Sequence, residues 1–116
     1  MKIADLRAYR AGDMGLVEWR TLSEIDHAGF FVVRLSSGSV PQMVTTAPIP
    51  GRGDPLRGAF YRLIDPAPPP EKAAYWLIDV DVWGVASFHG PASLAPQEIS
   101  NPLPEAGGFL HEEQAR

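Results

Sequence analysis

The chain contains no cysteine. That absence excludes disulfides, thiolate metal sites and thiol nucleophiles together, although it does not fix the compartment. No apolar run approaches the roughly 18 residues of a membrane-spanning helix. The opening MKIADLRAYRAGD has no apolar core after Lys2, so it does not read as a secretory signal. Positive charge is scarce: ten Lys and Arg stand against fourteen Asp and Glu, a net charge of -4. A nucleic-acid backbone is therefore not an expected partner. Helices are poorly supported, because Pro and Gly interrupt nearly every window that would otherwise hold an apolar stripe at helical spacing.

What the sequence does have is punctuation. Its 116 residues form one domain, 45 % hydrophobic and 21 % charged, which is globular composition. Twelve prolines and eleven glycines fall in clusters, at PIPGRGDP, DPAPPP, HGP and NPLPEAGG. Between them lie short runs rich in Val, Ile, Tyr, Phe and Trp. Short β-favouring runs bounded by turn signals predict an all-β sandwich or barrel.

Seven strands are predicted: Ile3 to Tyr9, Leu16 to Thr21, Phe30 to Leu35, Val40 to Thr45, Ala59 to Ile64, Ala73 to Asp81 and Val85 to Leu94. In the second, Val17 and Trp19 alternate with Glu18 and Arg20, the mark of a half-buried strand. The stretch 96–116 is polar, acidic and broken by Pro and Gly, and is expected to be a flexible or partner-docking tail. The domain proper is then 1–95.

Two clusters carry groups capable of chemistry. Asp79, Asp81 and His89 fall in the last two strands, and the two aspartates alternate to one face. Calcium would want six to eight oxygens, and only two carboxylates lie together. The plainer expectation is that the aspartates take hydrogen bonds or pair with arginines, and that His89 satisfies backbone ahead of the Gly90-Pro91 turn. The segment SEIDHAG brings Ser23, Glu24, Asp26 and His27 within five positions. No glycine-bounded nucleophile turn accompanies them, so a loop-shaping network of side-chain-to-amide bonds is expected rather than a triad or a metal site. No catalytic, cofactor or metal residue is assigned, and the chain is not expected to be an enzyme. Arg52-Gly53-Asp54 sits in a Gly/Pro turn. The same tripeptide serves some integrin ligands, but in a different loop, and a plain turn accounts for it here.

Taken in order, the marks along the chain resemble a fibronectin type III-like module of bacterial secreted and cell-surface proteins. They are Trp19, Thr21, Ser23, Glu24, Asp26, Ala28, Gly29, Phe30 and Arg34, then Ile49, Pro50, Gly53, Asp54, Tyr61, Arg62 and Asp65. The last are Tyr75, Leu77, Asp79, Val80, Asp81, Gly84, His89, Gly90 and Pro91. The match spans about residues 3 to 95, with His27 standing where asparagine is usual and a short turn between the third and fourth strands. The resemblance implies a seven-stranded antiparallel β-sandwich of the immunoglobulin-like kind. It also implies an accessory, non-catalytic part of a longer chain at the cell surface or outside it, with a cytoplasmic setting as the alternative.

In such a fold the third and sixth strands are neighbours, and both are apolar on two faces. If Phe30, Val32, Tyr75 and Leu77 join Trp19 in the core, then Phe31, Val33, Trp76 and Ile78 make one outer patch, where a wet face should be polar. Four such side chains left in water call for a cover. The patch is the expected partner-binding site, on the sheet of strands three, six and seven. Its occupant would be a second copy, a neighbouring domain or the chain's own tail through Leu103, Phe109 and Leu110. Shielding by Arg34 or Arg62 would instead make it ordinary surface. The alternative function is a carbohydrate-binding accessory module in which exposed Trp76, Trp83 or Tyr61 stack on sugar rings. Membrane insertion is not expected.

Overall fold

The computed structural model describes residues 2–68 and 72–95. The tail expected at 96–116 and part of the DPAPPP turn lie outside the described residues. Period-two alternation lays down seven strands: β1 (Lys2–Ala11), β2 (Met14–Ser23), β3 (His27–Ser36), β4 (Gln42–Met43), β5 (Phe60–Asp65), β6 (Ala73–Asp81) and β7 (Ala86–Ala95). Among the described residues there is no helix. β6 shows the rule most plainly: Ala73, Tyr75, Leu77 and Asp79 are buried, and the residues between them are half-exposed, as opposite faces of a pleated strand require.

The strands pair in the order β4-β3-β6-β7-β1-β2-β5. Every pair is antiparallel except β1 with β7, which run parallel at Ala8 opposite Leu94 and Tyr9 opposite Ala95. The expectation of a purely antiparallel sandwich of two separate sheets is corrected here. The parallel pair joins both strand groups into one mixed sheet that curls over on itself. Trp19 on β2 and Tyr61 on β5 thereby meet Phe30 on β3, with ring centroids 5.3 and 4.8 Å from that of Phe30.

Phe30, Val32, Tyr75 and Leu77 all reach the buried core with Trp19, as the alternation predicts. Each is worth roughly 1.5–3 kcal/mol of burial. Polar ties close the ends of the curl. Glu24 accepts from the Thr21 and Tyr61 hydroxyls and from the Gly53 amide. Asp65 accepts from Arg34 and from the Tyr75 hydroxyl. Gly58 marks a close approach of two backbone segments, since a Cβ there would sit 1.7 Å from the Thr21 carbonyl oxygen. No side chain fits.

The expected bounds hold for β6 alone; β1, β2 and β3 extend further at both ends, β5 is shifted by one residue, and the other two differences have a local cause. β4 shrinks to two residues because Pro41 has no N–H to add to a ladder; past Met43 backbone pairing with β3 continues only in pieces, at the bond from the Val44 amide to the Val32 carbonyl and at Ile49, which exchanges two bonds with Phe30. β7 begins after Val85, whose amide is taken by the Asp81 side chain in the preceding turn.

Candidate functional site

Register decides which side chains share the outside of β3, β6 and β7. Phe31 lies opposite Ile78 and Val33 opposite Trp76. Ile78 in turn faces Phe88 on β7, and Val33 faces Met43 on β4. The expected patch of Phe31, Val33, Trp76 and Ile78 is therefore one contiguous cross-strand block, all four half-buried. Phe88, 61 % exposed, extends it. A shallow groove of about 360 Å³ runs through this block, lined by Val33, Leu35, Pro41, Trp76 and Phe88. Neither arginine considered as a shield lies over it. Arg34 is held by Asp65 and Arg62 by Glu18, which is buried on the other part of the curled sheet.

A second place takes shape at the end of the curl, where the inward row of β6 leaves the core and becomes Asp79 and Asp81. Asp79 bonds the His89 ring at 2.6 Å. Of the two roles expected for Asp79, a hydrogen bond or an arginine pair, it takes the first, and the backbone role expected for His89 is replaced by this side-chain contact. Asp81 Oδ1 accepts the amides of Trp83 and Val85 and so fixes a tight turn. Gly84 sits in it at φ +85, a conformation side chains resist. The Asp26 carbonyl accepts from the Val82 amide, which draws the β2–β3 crossing against this turn.

The two chemical clusters seen separately in the sequence thus converge. Asp26, His27, Asp79, Asp81, Trp83, Ser87 and His89 line one groove of about 290 Å³. His27 lies between groove and core, its ring 4.2 Å from that of Phe30. Neither of its ring nitrogens has a hydrogen-bond partner, and both are shut off from solvent. Burial holds its pKa below the ordinary 6.5, against the opposing pull of Glu24 and Asp79. The ring is accordingly uncharged at neutral pH. Among the described residues, no three Asp, Glu or His side chains are grouped so as to hold a metal ion.

No protein-family model matches the sequence, and no curated protein matches it. Solved structures do. An Fn3-like protein from Clostridium thermocellum superposes with a TM-score of 0.57 at 16% identity, over 86% of this chain and 96% of that one. The fold is fibronectin type III-like. Pectate lyase Pel3 from Pectobacterium carotovorum also superposes, with a TM-score of 0.58 at 17% identity, over 86% of this chain. There the match takes up 28% of the lyase chain.

In this fibronectin type III-like fold the Arg52-Gly53-Asp54 tripeptide lies between β4 and β5 and is tied down. The Arg52 guanidinium lies over the Tyr61 ring, 4.5 Å from its centre, and donates to the Phe60 carbonyl. Gly53 donates to Glu24, and Asp54 accepts the amides of Leu56 and Arg57. Tyr61 itself is buried, so it is removed from the aromatics considered for sugar stacking. Burial and its bond to Glu24 push its hydroxyl pKa well above the usual tyrosine range. Ser23 takes no part in the groove, and Glu24 is a buried latch rather than a site residue. Sequence reasoning missed Phe88. The signal was available: alternation in SFH puts Phe88 on the face opposite His89.

Proposed function

We propose that this chain is a non-catalytic protein-contact module, working through the apolar exterior of β3, β6 and β7. The single observation that carries the proposal is the unbroken apolar block of Phe31, Val33, Trp76, Ile78 and Phe88 across three adjacent strands. Exteriors of sheets are ordinarily polar, and contiguous apolar patches mark contact sites. A second copy of the chain or an adjoining domain would recover roughly 1.5–3 kcal/mol for each large side chain it covers fully.

Support for a modular role comes from the neighbours. One is an Fn3-like protein over nearly its whole length, and the other carries the fold as a minor part of a larger chain. With them goes the proposal that the module serves a bacterial protein at the cell surface or outside the cell.

The test is sedimentation velocity of the full chain beside the Phe31→Ser/Trp76→Ser variant, with circular dichroism to establish that the fold survives. The wild type is expected to associate with itself, or with the domain next to it in a longer chain, and the variant is expected to lose at least tenfold in that affinity. Equal association by both forms would defeat the proposal.

A further inference from the structure

We propose that the groove at the end of the curl, between Trp83 and the Asp79–His89 pair, binds a neutral saccharide. The site is separate from the apolar exterior and independent of its role.

Trp83 is 71 % exposed, and it is not exposed by looseness. Asp81 holds the amides on both sides of Gly84, and the Asp26 carbonyl holds Val82. The indole is presented on a turn whose backbone is already fixed, so ordering it on binding costs little. A flat apolar ring edged by hydrogen-bonding groups suits a ligand with one apolar face and polar rims. A pyranose ring is such a ligand.

The walls supply the polar rim. Asp79 is bonded to the His89 ring at 2.6 Å, and one oxygen of Asp81 is engaged by backbone. His27 backs the groove with its uncharged ring, whose nitrogens are closed off from solvent. Ser87 adds a hydroxyl that both donates and accepts. Sugar hydroxyls both donate and accept, so the carboxylate oxygens of Asp79 and Asp81 and the Ser87 hydroxyl suit them. At about 290 Å³ the groove is at the small end of ligand sites, which suits one or two sugar residues of an oligosaccharide.

Other ligand classes fit less well. A metal ion lacks three grouped ligands among the described residues. An anion meets the carboxylates of Asp26, Asp79 and Asp81, and among the described residues no Lys or Arg lines the groove. That charge balance also sets a preference within saccharides: a uronate should be rejected where a neutral sugar is accepted.

The experiment is isothermal titration of the full chain with cellohexaose, mannohexaose and β-1,4-galactohexaose, and with hexagalacturonate as the anionic counterpart. At least one neutral hexasaccharide is expected to bind, with quenching or enhancement of tryptophan fluorescence. Trp83→Ala should weaken that binding at least tenfold, and Trp83→Phe should retain most of it. Phe31→Ser/Trp76→Ser should bind sugar as the wild type does, which separates this site from the protein-contact face. Failure of all three neutral sugars to bind, full binding by Trp83→Ala, or equal binding of hexagalacturonate would overturn the proposal.

Discussion

Replacing Asp65 with alanine is expected to destabilise the domain by about 3–5 kcal/mol, the cost of removing one partner from a buried ion pair. Asp65 is 1 % exposed at the end of β5. Its oxygens lie 2.6 and 2.7 Å from one nitrogen of Arg34 on β3, and 2.6 Å from the Tyr75 hydroxyl on β6. One carboxylate therefore ties together strands from both halves of the curl. Without it, a largely buried guanidinium and a buried phenol both lose their acceptor. Domains of this size have about 5–15 kcal/mol in hand, so the variant should sit close to its unfolding threshold.

The companion Arg34→Met/Asp65→Leu separates two explanations. If the harm comes from the stranded charge, the double variant should be more stable than Asp65→Ala, because well-packed apolar replacements of a buried pair are often close to neutral. The orphaned Tyr75 hydroxyl should still cost about 1–3 kcal/mol. Urea unfolding of all three proteins reads this directly. A loss below about 1 kcal/mol for Asp65→Ala, the level of an exposed ion pair, would show that the tie is not formed.

The second large effect is at Trp19. Its indole stacks on Tyr61 at 5.3 Å with planes 6° apart, and meets the Phe30 ring edge-on at 5.3 Å. Trp19→Ala should cost about 3–5 kcal/mol through lost transfer energy and the cavity left behind. Trp19→Phe should cost much less, on the order of 1–2 kcal/mol. The buried indole N–H has no hydrogen-bond partner to forfeit, so only volume is lost. Thermal unfolding should show the alanine variant several times further below the wild type than the phenylalanine variant. Equal losses for the two would mean that the indole's bulk is not what fills the core.

Trp19, Phe30, Val32, Tyr75 and Leu77 were legible as core because alternation is a local property of a strand. The bounds of β6 were legible for the same reason, with breakers on either side. The β1–β7 parallel pair was not, since two residues meeting across the whole length of the chain leave no local signal. Nor was the short β4, where one proline outweighed a run of β-favouring residues. At the patch, four of the apolar side chains could be read from their own strands, while Phe88 needed the register between β6 and β7. The groove was the least legible feature. His27 and Asp81 are directly paired across β3 and β6, but a register shift between His27 and Gly29 sets that pairing, and no pattern in AGF announces a bulge. Of the two expectations for Asp79, a hydrogen bond or an arginine partner, the first holds through His89, while Arg34 and Arg62 are taken by Asp65 and Glu18.

The three tryptophans report on the central claim, that one strand pair builds the core with its inner row and a contact face with its outer row. With indole nitrogens labelled, a soluble paramagnetic agent should leave Trp19 untouched and relax Trp83 strongly. It should relax Trp76 in the dilute chain and spare it once a second copy or an adjoining domain covers the face. A Trp76 signal as silent as that of Trp19 at every dilution, or one that stays open to the agent under all conditions of association, would contradict the account.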